Sequence, residues 1–344
     1  MNNKYFYIKK TKMIDEASIG HRFMPVFMSI ALFVLVYYAS SLAAALLQSI
    51  PLVIYIMTSK EFSGLINSEH PMDATVEYLE HFSYPQWFDL VDLFSRVAIM
   101  IVAILFCKLF EKRRASSLGL RRGGIVLEYL SGLLIGFALF ALTVLIAWLT
   151  GSIQITKNPD GVSFIVILYF LAFIVQGAAE ELIVRGYFMV SLARDTHPWI
   201  AILVSALAFS FIHIFNAGIN VIALTNIFLV GVLFGVYVFK RGNIWGACAI
   251  HTMWNFAQGN IFGVNVSGMD AMPSIFVSLQ SDKPGMVILN GGAFGLEGSI
   301  ICTAIMVGAI ALALLLPTKK TEISATEEGY IPTQRKNKKL WEPF

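Results

Sequence analysis

Residues 162–192 read VSFIVILYFLAFIVQGAAEELIVRGYFMVSL. This apolar stretch is long enough to cross the hydrocarbon core of a bilayer, which is about 30 Å thick and takes roughly 20 helical residues. Three charged side chains interrupt it: Glu180, Glu181 and Arg185. Ionisable groups at membrane depth are costly, face the protein interior and mark functional sites by default. The stretch therefore predicts a membrane-spanning helix with a polar site inside it.

The remainder of the chain has the same apolar character. Of its 344 residues, 57% are hydrophobic and 14% are charged, against about 25% charged in a typical soluble protein. This composition excludes a soluble enzyme, and a net charge of +3 excludes an extended nucleic-acid-binding surface. Seven further apolar stretches can span a bilayer: 24–50, 93–110, 125–149, 198–216, 219–239, 244–262 and 297–316. The sequence predicts an all-α fold, a polytopic membrane protein with about eight transmembrane helices and its active site inside the helical bundle.

Basic residues set the predicted orientation. If the N-terminus is cytoplasmic, 20 Lys and Arg residues fall in inside segments and only 4 in outside segments, Lys60, Arg96, Lys157 and Lys283, as the positive-inside rule requires. We therefore expect a multi-pass protein of the cell membrane with both termini cytoplasmic. The predicted parts are a cytoplasmic N-terminal segment 1–23, an eight-span membrane domain 24–316 with a catalytic core 162–262, and a flexible cytoplasmic tail 317–344.

Other polar features are expected to carry no chemistry. Glu128 lies near the start of its stretch, within reach of Arg121 and Arg122, and is predicted at the membrane interface. The outer segment 263–296 is expected to be a flexible linker rather than a cap over the site. The three cysteines fall inside apolar stretches without a C-x-x-C partner and are predicted to be packing residues: Cys107, Cys248 and Cys302.

The spacing between the charged residues predicts different roles for the two adjacent acids, Glu180 and Glu181. Glu181 and Arg185 are four residues apart with the acid N-terminal, the favourable orientation for an ion pair on one helix face. Glu180 lies about 100° away round the helix, so it stays available for another role. We therefore interpret Glu181 as a tethered structural carboxylate and Glu180 as the free one.

Two later stretches carry pairs with the same four-residue spacing, Phe209 with His213 and His251 with Asn255. Counted from the basic ends of their helices at about 1.5 Å per residue, Glu180, His213 and His251 lie at similar depths. Three helices can therefore bring a carboxylate, two imidazoles and an amide to one buried point.

Together these residues form three motifs: E-E-x-x-x-R at Glu180, Glu181 and Arg185, F-x-x-x-H at Phe209 and His213, and H-x-x-x-N at His251 and Asn255. In order and spacing they resemble the motifs of the CAAX-protease and bacteriocin-processing (CPBP) family of intramembrane endopeptidases. This family is also called the Abi family and includes type II CAAX prenyl endopeptidases. The likeness covers residues 170–262. It implies a peptidase within the lipid bilayer whose substrate is a peptide or protein: a prenylated tail, a bacteriocin-type precursor or a membrane-bound regulator.

The resemblance also implies a role for each motif. Glu180 would be the general base, and His213 would help to orient the attacking water. His251 and Asn255 would lie at the oxyanion, while the ion-paired Glu181 would fix the site. The chemistry agrees, because peptide hydrolysis needs an activated water and donors for the tetrahedral oxyanion.

A metal cofactor is an open alternative. Glu180, His213 and His251 make a plausible zinc set with one open position for water. The same groups serve a metal-free glutamate mechanism equally well. The motifs of other intramembrane proteases are absent: H-E-x-x-H of site-2-type metalloproteases, G-x-S-G of rhomboid-type serine proteases, and paired Y-D and G-x-G-D of aspartyl types.

Two other classes of function compete with a peptidase. The first is a transporter in which the buried acids and histidines relay protons or bind a cation. Against it, the sequence contains no evident inverted repeat. The second is a non-catalytic immunity or scaffold protein that keeps the same fold, since a fold does not by itself prove an activity.

Overall fold

The computed structural model describes residues 8–19, 21, 23–67, 70–85, 87–269, 272–318 and 323–324. Residues 1–7 of the predicted N-terminal segment, and nearly all of the predicted tail after Thr318, lie outside the described residues. The part of the chain that is described consists mainly of α-helices, with one two-stranded sheet.

The described α-helices are α1 (Lys12–Ala17), α2 (Val26–Thr58), α3 (Lys60–Ile66), α4 (Pro71–Glu80), α5 (Phe88–Ser95), α6 (Val97–Leu109), α7 (Ile125–Leu149), α8 (Ile165–Glu181), α9 (Val190–Asp195), α10 (Pro198–Phe211), α11 (Val221–Arg241), α12 (Trp245–Phe256), α13 (Val287–Asn290) and α14 (Ile300–Leu315). One π-helix, Leu182–Met189, joins α8 to α9, and another, Ala257–Ile261, extends α12. Short 3₁₀ turns lie at Ala115–Leu118, Gly292–Phe294 and Leu296–Gly298. The strands β1 (Ile153–Lys157) and β2 (Phe276–Gln280) pair antiparallel.

Long apolar helices dominate the described part of the chain. Five helical runs there are long and apolar enough to cross a membrane: Val26–Thr58, Phe88–Leu109, Ile125–Leu149, Ile165–Asp195 and Val221–Arg241. The helices α10 and α14 are shorter and apolar, and α12 with its π-helical extension occupies the stretch predicted at 244–262. A helix therefore lies on each predicted stretch, and the predicted fold class, an all-α polytopic membrane protein, is confirmed.

The central helix α12 packs against α7 on one side and α8 on the other. Glycines on α7 permit a close approach. A Cβ on Gly132 would lie 2.5 Å from the carbonyl oxygen of Gly246, and a Cβ on Gly136 would lie 2.5 Å from that of Ile250. Small residues are the usual means by which membrane helices pack this closely. The contact fixes the depth and rotation of α12, which carries the H-x-x-x-N motif.

The segment 263–299, here called the cap, joins α12 to α14 and contains β2 and α13. Its strand pairs with β1, which lies between α7 and α8. Buried asparagine amides donate to its carbonyls, from Asn260 to Pro273 at 2.8 Å and from Asn290 to Ser281 at 3.0 Å. The prediction of a flexible linker is therefore wrong. The amides of Asn260 and Asn290 satisfy backbone carbonyls of the cap and hold it in place.

Arg113 ties together the opposite end of the bundle, here called the basic end. Its buried guanidinium donates to Ser117 Oγ at 3.1 Å, Ser191 Oγ at 3.0 Å, the Gly186 carbonyl at 3.1 Å and Glu111 Oε2 at 3.1 Å. The short α1 packs here against the first 3₁₀ turn and against α9. The connection between α6 and α7 is thereby bound to the π-helix that follows α8.

Glu128 has a partner that the sequence did not predict. Its carboxylate is buried in the first turn of α7, and Arg241 at the end of α11 donates to both oxygens, at 3.0 and 2.5 Å. The expected position at the membrane interface stays a prediction. The partner comes from a helix that returns to the start of α7, a contact that spacing along the chain does not reveal.

Candidate active site

The helix that carries the E-E-x-x-x-R motif changes from an α-helix to a π-helix within the motif. The α-helix α8 ends at Glu181, and the chain continues as a π-helix from Leu182. The helix α12 changes in the same way at Ala257, two residues after Asn255. π-Helical turns are rare and are frequent at functional sites. Two of the three motif helices therefore carry this irregularity directly beside their polar residues.

Glu181 forms the predicted ion pair with Arg185. Both side chains are fully buried, and Arg185 Nη1 donates to Glu181 Oε1 at 2.8 Å. His251 Nδ1 lies 3.0 Å from the same oxygen. Because an ionised carboxylate only accepts, Nδ1 is the donor in this contact. The guanidinium also stacks on aromatic rings, 4.2 Å from the centroid of Phe209 and 5.2 Å from that of Phe234.

One carboxylate oxygen of Glu180 has a hydrogen-bond partner and the other has none. Its Oε1 accepts from Gln176 Nε2 at 2.8 Å and lies 3.5 Å from Arg96 Nη1. Asn255 Nδ2 in turn donates to Gln176 Oε1 at 3.0 Å. The other oxygen, Oε2, is buried without a hydrogen-bond partner and lies 3.8 Å from His251 Nε2. A buried polar atom that lacks a partner is costly, which marks Oε2 as a reactive or ligand-binding atom.

His213 lies in a turn rather than in a helix. The sequence predicts a helix over 198–216, whereas α10 ends at Phe211. The chain turns here because Gly218 has a φ of +70° and no room for a Cβ, which would lie 2.8 Å from Phe294 N. In the turn, His213 Nδ1 donates to the Phe209 carbonyl at 2.7 Å. This contact fixes the ring and leaves Nε2 as the atom available for chemistry.

The motif residues meet at one cavity of about 240 Å³. Four of the six predicted site residues line it: Glu180, His213, His251 and Asn255. Glu181 and Arg185 are buried behind this wall, where they hold His251. The structure thus brings all six together, four at the surface of the cavity and two as support.

Arg96 is a site residue that the sequence reasoning missed. It was assigned to an outer segment, but it lies between α5 and α6, lines the cavity and pairs with Asp92 at 3.0 Å as well as with Glu180. A signal for it exists in the sequence. An arginine four residues after an aspartate, inside the apolar run 88–109, is an ionisable pair at membrane depth.

Glu297 closes the cavity from the side of the cap. Its Oε1 accepts from Trp254 Nε1 at 2.8 Å, and its Oε2 accepts from Ser267 N at 3.0 Å and Ser267 Oγ at 2.7 Å. No sequence pattern indicated this role, because the residue lies at the edge of a predicted helix. The carboxylate binds the cap to the helix that carries His251 and Asn255.

The described residues hold no preformed zinc site, so the choice between a metal and a metal-free mechanism stays a prediction. Among the described residues, no group of three His, Cys, Asp or Glu side chains converges closely enough to hold a metal ion. A cation beside Glu180 would also face the guanidinium of Arg96, which lies 3.5 Å from the same carboxylate. Like charges this close repel one another strongly away from water. No step of the chemistry below passes through a metal.

Comparison with known proteins bears on this site. Residues 162–257 match the family described as Type II CAAX prenyl endopeptidase Rce1-like. This segment runs from the start of α8 to just beyond α12 and contains all three motifs. The resemblance drawn from those motifs is thereby confirmed for this part of the chain, and it supports a peptidase. No curated protein and no solved structure matches the chain at a significant level.

Proposed function

We propose that this protein is an intramembrane endopeptidase that hydrolyses a peptide bond with a water molecule activated by Glu180. The observation that carries the proposal is the position of Glu180 Oε2. This oxygen is buried, has no hydrogen-bond partner, and lies 3.8 Å from His251 Nε2 in the cavity wall. A carboxylate held on one oxygen with the other free is suited to accept a proton from water.

Hydrolysis then follows in two steps. Glu180 takes a proton from water as the water oxygen bonds to the carbonyl carbon of the substrate, and His213 Nε2 orients this water. The tetrahedral intermediate next loses its amine as the C–N bond breaks, and Glu180 returns the proton to the leaving nitrogen. The same carboxyl group therefore serves first as base and then as acid.

His251 and Asn255 stabilise the oxyanion of the intermediate. In its protonated form, His251 donates from Nδ1 to Glu181 and keeps its Nε2 proton for the oxyanion. Asn255 has a second amide proton beyond the one that it gives to Gln176. Donors that are already oriented in a water-poor site are the largest single source of catalysis in many enzymes.

Peptide cleavage tests the proposal directly. Purified protein in detergent is given a panel of peptides that includes prenylated C-terminal tails and bacteriocin-type precursors. We expect Glu180→Gln to lower kcat/KM by about 10²- to 10⁴-fold, the usual contribution of a general base. His213→Ala and His251→Ala should also lower it.

Matched controls for these changes lie on the exposed surface. Glu77→Gln and His70→Ala make the same chemical changes at exposed positions, and both should leave cleavage intact. Cleavage that survives Glu180→Gln would contradict the mechanism. If no peptide is cut and proton-coupled uptake into liposomes depends on Glu180, the transporter alternative is correct.

Treatment with a chelator distinguishes a metal-free mechanism from a metal-dependent one. The guanidinium of Arg96 lies 3.5 Å from the Glu180 carboxylate and would repel a metal cation there. We therefore expect wild-type cleavage to continue at an unchanged rate after treatment with 1,10-phenanthroline. The measurement is the initial rate before and after treatment. A rate that is lost and then restored by added zinc would show that a metal takes part.

A further inference from the structure

The cavity extends toward one end of the bundle. Besides the motif residues, its wall includes Asn216 from the turn after α10, and Val266, Ser267 and Met269 from the cap. His213 itself lies beyond the last residue of α10. The helices α10 and α12 end here and α11 begins here, so these connections surround this end of the cavity.

The basic end of the bundle is filled instead. Residues 182–193 of the catalytic helix are all buried. Below them, the guanidinium of Arg113 binds four residues in two chain segments, and Arg194 Nη2 pairs with Glu111 Oε1 at 3.2 Å. The ring of Phe33 on α2 stacks on Phe188 with centroids 4.1 Å apart. Ile183, at the start of this buried run, lines the cavity, whereas residues 184–193 do not.

Charge distinguishes the two ends of the bundle. Among the described residues, the basic end carries Lys9, Lys10, Lys12, Lys108, Lys112, Arg113, Arg114, Arg121, Arg122, Arg194, Lys240 and Arg241, whereas the connections at the cap end carry Lys60, Lys157 and Lys283. With Arg96 reassigned to the cavity wall, the contrast is sharper than the sequence alone indicated. The positive-inside rule places the basic end in the cytoplasm.

We propose that the catalytic cavity opens to the non-cytoplasmic face of the membrane. Its substrate is then a peptide segment presented on that face: an exported precursor, or the extracytoplasmic juxtamembrane part of a membrane protein. A prenylated tail that stays in the cytoplasm does not reach it. The proposal rests on the peptidase function for its substrate class, but its statement about orientation is independent of catalysis.

Single cysteines test the orientation. The three native cysteines are replaced by alanine, and one reporter is introduced at a time: Met269→Cys in the cavity wall, Asp282→Cys on the exposed cap and Arg114→Cys at the exposed basic end. Sealed right-side-out vesicles are treated with a membrane-impermeant maleimide. We expect labelling at positions 269 and 282, and labelling at 114 only after permeabilisation. Labelling of 114 without permeabilisation, with 269 and 282 protected, overturns the proposal.

The wild-type protein provides a second measurement that does not depend on the cysteine-free variant. A water-soluble peptide that the purified protein cleaves is added to right-side-out or to inside-out vesicles. We expect cleavage in right-side-out vesicles and its loss in inside-out vesicles. Cleavage only in inside-out vesicles overturns the orientation while the peptidase function stands. If no peptide is cut in detergent, the peptidase function fails, and the labelling pattern alone decides the orientation.

Discussion

Glu180 and Glu181 are adjacent in the sequence but have opposite surroundings. Glu181 Oε1 accepts from both Arg185 and His251, so this carboxylate is neutralised and immobile. Glu180 lines the cavity and is held at one oxygen by Gln176, while its other oxygen has no hydrogen-bond partner. One turn of helix thus carries two acids in different surroundings. The proposed division into a supporting carboxylate and a general base follows this difference in environment.

The buried ion pair behind the cavity leads to a stability prediction. Changing Arg185→Met leaves the buried carboxylate of Glu181 without its arginine partner and with His251 as the remaining donor, and breaking a buried pair costs about 3–5 kcal/mol. We expect a clearly lower midpoint of thermal unfolding in detergent. The double variant Glu181→Gln with Arg185→Met removes both charges and should recover part of the loss. A double variant that is less stable than the single one would contradict this account of the pair.

Arg96 leads to a prediction about rate. It binds Glu180 Oε1 from a helix pair outside the matched segment, and we infer that it positions this carboxylate. Changing Arg96→Gln should lower kcat by about tenfold with a smaller change in KM, because small errors in the position of a catalytic group are costly. Arg96→Lys should restore part of the rate, and Lys60→Gln at an exposed position is the control. An equal loss in the Lys variant, together with a lower unfolding midpoint, would indicate a purely structural role.

At the residue scale, the motifs predicted which side chains meet but not how each is held. Spacing along one helix was enough to predict the pair of Glu181 with Arg185. Gln176, which connects Glu180 to Asn255, and Arg96 were not predicted, because their partners lie on other helices or one turn away among apolar residues. Hydrogen bonds between helices depend on rotation and depth, which a single sequence does not specify.

At the element scale, the contact of α7 with α12 sets the position of His251. The backbones of α7 and α12 approach closely at Gly132 and Gly136. Gly136 lies against the backbone of Ile250, and His251 is the next residue in the chain. Apolar periodicity predicted where both helices lie. It could not predict the π-helical turns after Glu181 and Asn255, because a π-turn arises from packing and not from a distinct residue pattern.

This contact yields a prediction with a matched control. Gly136→Ala places a methyl group 2.5 Å from the Ile250 carbonyl oxygen, so α7 and α12 must separate. Overpacking of this kind costs typically about 1–3 kcal/mol. We expect a lower unfolding midpoint and reduced cleavage. Gly308→Ala on α14 meets nothing within 4 Å and should be neutral or slightly stabilising. Equal behaviour of the two variants would show that the close approach does not matter.

At the scale of the whole molecule, composition predicted the membrane fold, and the counts of basic residues distinguished its two faces. They did not predict the ordered cap or the filled basic end, because both depend on contacts between distant segments. Glu128 illustrates the difference, because its partner Arg241 lies more than a hundred residues away in the sequence. Such contacts decide where a cavity opens, and a single sequence does not display them.

The filled basic end leads to the last prediction. Arg113 and Arg114 are adjacent, but Arg113 is buried with hydrogen bonds to four residues in two chain segments, whereas Arg114 is exposed. Arg113→Met leaves the Gly186 carbonyl and Glu111 without this donor, and breaking a buried charged network costs about 3–5 kcal/mol. Arg114→Met should stay within about 0.5 kcal/mol of wild type, as surface changes usually do. Unfolding midpoints measure both.

Cys107 reports on the same end of the molecule. Its thiol is buried, and its carbonyl accepts from the backbone N–H of Arg113 at 2.9 Å. With Cys248 and Cys302 changed to alanine, a water-soluble thiol reagent should react with Cys107 faster in Arg113→Met than in Arg114→Met. Equal rates in the two variants would mean that Arg113 does not seal the basic end. A faster reaction only with Arg113→Met would show that this one buried guanidinium protects the basic end from water.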